Sequence, residues 1–355
     1  MTLHNLRELI RYIEHEKASL ACFEDIKGFV EKLEAAAMRF VAYEHVPRLA
    51  VDSTDALTAA RLRLLSLKLQ YFCLTNPSSI TALAGQEAGF RCAACGAEFV
   101  AALCARCLSA LARRALVERQ SCARDLAGGA GAENEVIPGF SMVVAYCNLR
   151  LAFNHQRPGY SSPAPACRRH LLRALFMLEQ QFHLTPKHSP TALFLVQLHL
   201  LLGSAHRARE VWDELTVKRT IADALAPIFY DRVSTVSPAL LSPSDDWGWR
   251  TIEMLRQHYA ASLKLRMPRR LIDAFEAGSY GSILGIPQYI DNLRRSCTRA
   301  MSLVEEARAA RLLGQPYDEL LADARFGTSA DCGLCDGSVL TRSQWTRPMS
   351  WSSWH

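Results

Sequence analysis

The sequence lacks the loops that mark common catalytic sites. It contains no GxxxxGK(S/T) phosphate loop, no HExxH helix, no GxSxG elbow and no DxDxDG calcium loop, which sets aside the usual nucleotide hydrolases, zinc proteases, serine hydrolases and EF-hand proteins. Hardly any segment alternates apolar and polar residues with period two, so strands are not expected. The first twenty residues, MTLHNLRELIRYIEHEKASL, hold no uninterrupted apolar segment and therefore no secretory signal, which points to the cytosol. The longest apolar run, Thr191 to Leu202, is too short for a bilayer, carries Gln197 and His199, and is expected to be a core helix; no membrane partner is expected. A strong excess of one charge is missing too. With 41 Lys and Arg against 35 Asp and Glu, the mild basic balance permits an acidic partner or RNA without requiring either, and DNA is not expected.

What the chain does have is apolar material at helical spacing. Half of its 355 residues are hydrophobic, enough for a large core or several helical layers. Phe23, Ile26, Val30, Leu33, Ala37, Phe40 and Val41 fall three and four apart, which predicts one helix from Phe23 to Val41. Ser53 can cap a second, leucine-rich helix that Asn76-Pro77 stops. Further helices are predicted near 107–120, 138–153, 168–183, 190–202, 205–217, 219–235, 247–266, 268–277 and 287–313. The Gly-, Pro- and Ser-rich stretches at 127–134, 154–166 and 236–246 read as loops. The fold class expected is all-α, stacked antiparallel helices in an α-solenoid, with a helical region over 1–325 and an irregular tail over 326–355.

Gly203-x4-Ala208-x3-Trp212-x2-Leu215 matches the second half of a tetratricopeptide repeat, in which a small residue lets two helices approach and an aromatic fills the gap. An ordinary helical hairpin fits the same spacing.

Twelve cysteines are too many for a disulfide framework in a reducing compartment, and clustered pairs suggest metal instead. Cys92-Ala-Ala-Cys95-Gly96 is followed after eight residues by Cys104-Ala-Arg-Cys107, two CxxC knuckles whose four thiolates can surround one tetrahedral zinc ion. Gly96 suits the tight knuckle turn, which needs positive φ. Four cysteines close the shell, so the expected zinc is structural, fastening the chain between two helices; free buried thiols are the alternative. Cys332 and Cys335 form a lone pair and receive no role.

Other candidates have bland readings beside the functional ones. Arg124 to Gly131 superficially resembles the acetyl-CoA loop of GNAT acetyltransferases, but Ala127 stands where the first glycine is needed and no strand precedes it, so no acetyl-CoA site is expected. His188, His199 and His206 read as structural. Basic clusters at Arg168-Arg169-His170, Arg269-Arg270 and Arg294-Arg295 with Arg299 could meet RNA phosphates or simply be solvated helix faces. Trp247 and Trp249 mark either an interface or packing between helices.

Three strings carry a family resemblance. Ala21-Cys22-Phe23-Glu24-Asp25-Ile26-Lys27-Gly28-Phe29-Val30-Glu31-Lys32-Leu33 is the first. The second is Phe194-Leu195-Val196-Gln197-Leu198-His199-Leu200-Leu201-Leu202-Gly203, continuing through Ala208, Trp212 and Val217-Lys218 to Asp231-Arg232-Val233-Ser234-Thr235. The third is Tyr289-Ile290-Asp291-Asn292-Leu293 with Ser296, Arg299, Ala300 and Leu312-Leu313-Gly314. Together they resemble the auxiliary, non-catalytic subunit of the N-terminal acetyltransferase B (NatB) complex of filamentous fungi, over roughly residues 10 to 325. Lys218-Arg219-Thr220 departs from the family pattern, and the tail matches nothing familiar. Family members are considerably longer, so a fragment or shortened gene model is expected. The resemblance implies a cytoplasmic scaffold that binds the catalytic GNAT subunit and shapes its recognition of N-termini beginning Met-Asp, Met-Glu, Met-Asn or Met-Gln. It also implies docking near the ribosome exit, where the Arg clusters could contact rRNA, and it leaves acetyl-CoA to the partner. The alternative is a free-standing, zinc-containing helical adaptor that binds RNA or protein.

Overall fold

The computed structural model describes residues 3–76, 80–82, 90–92, 94–99, 103–126, 132–154, 165–217, 220–231, 233–241, 247–312 and 314. The tail at 326–355, with Cys332 and Cys335, and the glycines of the 127–131 loop lie outside them. Among the described residues the fold is all-α apart from three very short strands, and the chain divides into two compact units, Met1–Leu195 and Val196–His355.

In the first unit, α1 (Leu3–His15), α2 (Cys22–Val30), α3 (Ala35–Phe40) and α4 (Val46–Asp52) gather around one side of α5 (Ala56–Thr75), burying Ile13, Ile26, Val30, Met38, Val46, Leu62 and Leu69. The single helix expected from Phe23 to Val41 is therefore two. Lys32 N–H and Leu33 N–H reach back three residues, to the carbonyls of Phe29 and Val30, which tightens and ends α2. Val30, Leu33 and Met38 nevertheless stay in one core, so the apolar spacing persisted across the break. The cap of α5 is also not Ser53. The Asp55 carboxylate, two residues nearer the helix, accepts from Thr58 N–H at 2.8 Å, while Ser53 closes α4 in extended conformation.

Between α3 and α4, Val41–His45 forms a π-helical turn in which Val46 N–H bonds the carbonyl of Val41. Pro47 has no N–H to offer Ala42, whose carbonyl is left over; buried Ser66 and Gln70 of α5 donate to it at 3.0 and 3.1 Å. The widened turn lets the helix run through a proline, and two side chains from another helix satisfy the carbonyl it frees.

The other side of α5 packs α6 (Ala105–Asp125) and α7 (Ala132–Phe153), and α8 (Pro165–Leu184) packs on α7. Asn154 meets Leu103 and Ser141 meets Arg119, so α6 and α7 run antiparallel. Ser141 with Gln181 and Asn148 with His170 do the same for α7 and α8. Helix α7 is the centre of this layer: Val136, Phe140, Val143, Val144, Cys147 and Leu151 are all buried. Val136–Phe153 corrects the reading of Thr191–Leu202 as the longest apolar stretch. It is long and apolar enough to cross a bilayer, with a mean hydropathy of 1.5, but 78% of it is buried in this unit, as in a soluble core helix.

Before α6 lies the departure from a helix-only expectation. Strands β1 (Ile80–Ala82), β2 (Phe90–Cys92) and β3 (Glu98–Phe99) form an antiparallel sheet in that order, pairing Ile80 with Cys92 and Phe90 with Phe99. Strands of two or three residues are too short to show alternation in sequence.

In the second unit, α10 (Ala205–Glu214) follows α9 (Ser189–Leu201), which begins in the first unit, after a turn at Gly203 with φ +78. Trp212 packs on Phe229 and Tyr230 of α11 (Thr220–Tyr230), and Trp247, opening α13 (Trp247–Ala261), joins that cluster. Its indole N–H donates to Asp213 at 3.0 Å, so Trp247 is a packing residue; the side chain of Trp249 lies outside the description. Helix α11 stops at Tyr230 and a short α12 (Val233–Val236) follows, where one helix over 219–235 was expected.

A second π-helical turn, Ser262–Arg266, precedes Pro268 and joins α13 to α14 (Met267–Glu276), where two separate helices over 247–266 and 268–277 were expected. The helix expected over 287–313 is instead α15 (Tyr280–Arg294) and α16 (Cys297–Leu312). At the break, Ser296 donates to the Asp223 carboxylate at 2.7 Å and Thr298 to the Asp223 carbonyl at 2.6 Å. Tyr259 donates to the same carboxylate. This anchoring to α11 turns the chain where local pattern would continue it.

Candidate metal centre

Cys92 ends β2, and the chain turns back into β3 through Cys95 and Gly96. Gly96 N–H donates to the Cys92 carbonyl at 2.8 Å, and Cys92 N–H to the Ala97 carbonyl at 2.9 Å. Gly96 has φ +69, where a side chain is strained, so the knuckle turn explains the glycine. Cys104 is the residue preceding α6 and Cys107 lies in the helix's first turn, the electropositive end that favours thiolates.

These two half-sites face one another. The four sulfurs lie within 4.8 Å of each other, Cys92 to Cys107 at 3.7 Å and Cys95 to Cys104 at 3.8 Å. A disulfide would hold two sulfurs about 2 Å apart, so these are separate thiols. A tetrahedral ion held at about 2.3 Å by each of four sulfurs sets them about 3.8 Å apart, the spacing seen for Cys92 to Cys107 and for Cys95 to Cys104. Cys92 and Cys104 are buried, Cys107 half-buried and Cys95 exposed. Burial, with the neighbouring sulfurs, pushes the Cys104 and Cys107 thiols up. Cys95 lies below the ordinary value: burial opposes this, but hydrogen bonds from the Ala97 backbone and from the three other thiols outweigh it.

Such a set could hold one thiophilic metal ion. Four protein sulfurs leave no place for water or substrate, so the chemistry on offer is cross-linking: an ion here ties a β-hairpin to the start of α6. The expectation of a clip between two helices is corrected in that respect, because one half-site is a hairpin knuckle.

Asn154 completes the frame, a residue that sequence reasoning had left in a loop. Its amide accepts from Leu103 N–H and donates to the Leu103 carbonyl, both at 2.8 Å, holding the residue just before Cys104 to the end of α7. No local signal marks it, since its partner is 51 residues away.

The remaining candidates are dispersed. His188 accepts from Thr191 N–H at the start of α9, and His199 is buried in that helix. Arg168 and Arg169 are exposed on α8, whereas Arg295 pairs with Asp291 at 3.2 Å and Arg299 donates to the Arg294 carbonyl.

A family model described as the non-catalytic subunit of the N-acetyltransferase B complex (NatB) matches residues 140–332, from α7 onward. The N-terminal acetyltransferase B complex subunit MDM20 of Saccharomyces cerevisiae is 28% identical over 151 residues, 42% of this chain and 18% of that protein's length. The chain thus spans under a fifth of the curated relative it matches, and the four cysteines precede the family match.

Proposed function

The chain belongs to the family of non-catalytic subunits of the N-acetyltransferase B complex, and from that premise we propose that it is a helical scaffold which binds the complex's catalytic GNAT subunit. The observation that carries this reading is the family match over 140–332, whose described residues are helical from α7 to α16. Acetyl-CoA and the chemistry belong to the partner; this chain supplies a stiff surface. Docking at the ribosome, through rRNA phosphates on the exposed Arg168 and Arg169 of α8, and a cytoplasmic location are parts of the same proposal.

The four-cysteine site holds zinc in this reading, supported by its all-thiolate donor set and the sulfur spacing. Cys92, Cys95, Cys104 and Cys107 are its ligands, and zinc supplies a cross-link that a short two-residue strand pairing could not supply alone. Co-expression of the tagged full chain with the catalytic subunit tests the scaffold reading. Co-purification of that subunit in stoichiometric amount is expected; its absence from the purified chain would overturn the proposal. Metal analysis of the same preparation tests the site independently, with one zinc per chain expected.

A further inference from the structure

The four sulfurs are not equivalent, and their arrangement has a consequence for oxidation. Two sulfur contacts join the hairpin knuckle to the helix: Cys92 with Cys107 at 3.7 Å, Cys95 with Cys104 at 3.8 Å. Both contacts run between the two CxxC pairs rather than within one of them. Only Cys95 is exposed to a dissolved oxidant; Cys92 and Cys104 are buried and Cys107 is half-covered.

We propose that the metal clip is a peroxide-responsive switch, in which hydrogen peroxide converts the four-thiolate zinc site into two crossed disulfides, Cys95–Cys104 first and Cys92–Cys107 second, with release of the ion. The inference rests on the zinc reading above. The Cys95 sulfur attacks one peroxide oxygen, breaking the O–O bond to give a sulfenic acid and a hydroxide that a proton converts to water. The Cys104 thiolate, whose sulfur lies 3.8 Å away, then attacks the sulfenic sulfur; the S–S bond forms as the S–O bond breaks, and the second oxygen takes up a proton and leaves as water. An ion left with two sulfur ligands is weakly held and departs, uncovering Cys107 and Cys92 for the same sequence. In sum, one zinc bound by four thiolates, two hydrogen peroxide and four protons yield a free zinc ion, two disulfides and four water. Each disulfide gives two electrons to one peroxide.

The pairing also states what the switch does to the fold. Crossed disulfides replace one hairpin-to-helix link by two covalent ones, so α6 stays tied to the knuckle while the metal leaves. Disulfides within each CxxC would release the hairpin from the helix instead.

The test uses the full chain, unmodified. Its zinc content is measured before oxidation, which judges the metal reading alone: a chain that contains no zinc and takes up none refutes that reading, and the switch with it. A zinc-loaded chain is then treated with hydrogen peroxide while a chromogenic chelator follows release, and samples are digested without reduction for mass spectrometry. Loss of one zinc per chain is expected, with the Cys95–Cys104 peptide pair appearing before Cys92–Cys107 and thioredoxin with its reductase restoring zinc binding. Zinc retained while peroxide oxidises other thiols, or disulfides mapped as Cys92–Cys95 and Cys104–Cys107, would overturn the switch and leave the metal site standing.

Discussion

Replacing Asn154 with Ala should loosen the metal site from 51 residues away in sequence. Its side-chain amide makes two hydrogen bonds of 2.8 Å with the backbone of Leu103, one to the N–H and one to the carbonyl. Both lie in a partly buried position next to Cys104, so the Ala variant leaves a backbone donor and an acceptor without those partners. At about 1 kcal/mol net for each bond, the loss is about 2 kcal/mol. The segment entering Cys104 must then be ordered by the metal rather than beforehand, so most of that loss falls on binding, about a 30-fold weaker affinity. Asn154→Asp should be intermediate, because a carboxylate still accepts from Leu103 N–H but opposes its carbonyl. The assay is competition with a chromogenic chelator, alongside far-UV circular dichroism. A folded Asn154→Ala chain whose zinc affinity stays within about twofold of wild type would refute the reasoning that the end of α7 positions the site.

Glu305 is buried and accepts from Ser234 N–H at 2.9 Å, so Glu305→Ala should cost about 2 kcal/mol by stranding a buried donor. Arg308 pairs with the same carboxylate at 2.8 Å but is half-exposed, so Arg308→Ala should cost far less; equal losses in urea midpoint would count against this. Trp212→Ala, which empties the centre of the Phe229, Tyr230 and Trp247 cluster, should cost about 3–5 kcal/mol, read by thermal unfolding. Gly248→Ala should destabilise as well. A Cβ there would meet the carbonyl of Leu240 and come within 2.7 Å of the Leu241 side chain, and backbone cannot yield cheaply. Burial holds His45, His188 and His258 below the ordinary histidine value. The unfolded chain therefore takes up protons first as pH falls below about 6.5, and stability should drop from there through the lower folded values while staying flat above. A urea midpoint that rises between pH 7.5 and pH 5.5 would contradict this sign.

Much of this molecule was legible from residue order alone, because helices report themselves locally. Apolar spacing marked the helices from α5 onward, though it read α11 with α12 and α15 with α16 as one each and placed neither α1 nor α4, and the CxxC spacing with Gly96 named the four sulfurs that meet. Spacing singled out Trp212 as a packing residue, but that its partners are Phe229 and Tyr230 of α11 was decided by the tertiary structure. Tertiary structure decided what depends on partners distant in sequence. Whether a helix breaks or bends was settled by Asp223 gripping Ser296 and Thr298, and by Ser66 and Gln70 filling the carbonyl that Pro47 leaves over. Periodicity records which face is apolar, not whether the backbone is continuous, so one face could be shared by α2 and α3. The site followed the same division. Cysteine spacing along the chain named the four thiols, whereas the hairpin that holds half of them, the meeting of the four sulfurs and the support from Asn154 exist only once β2, α6 and α7 are brought together.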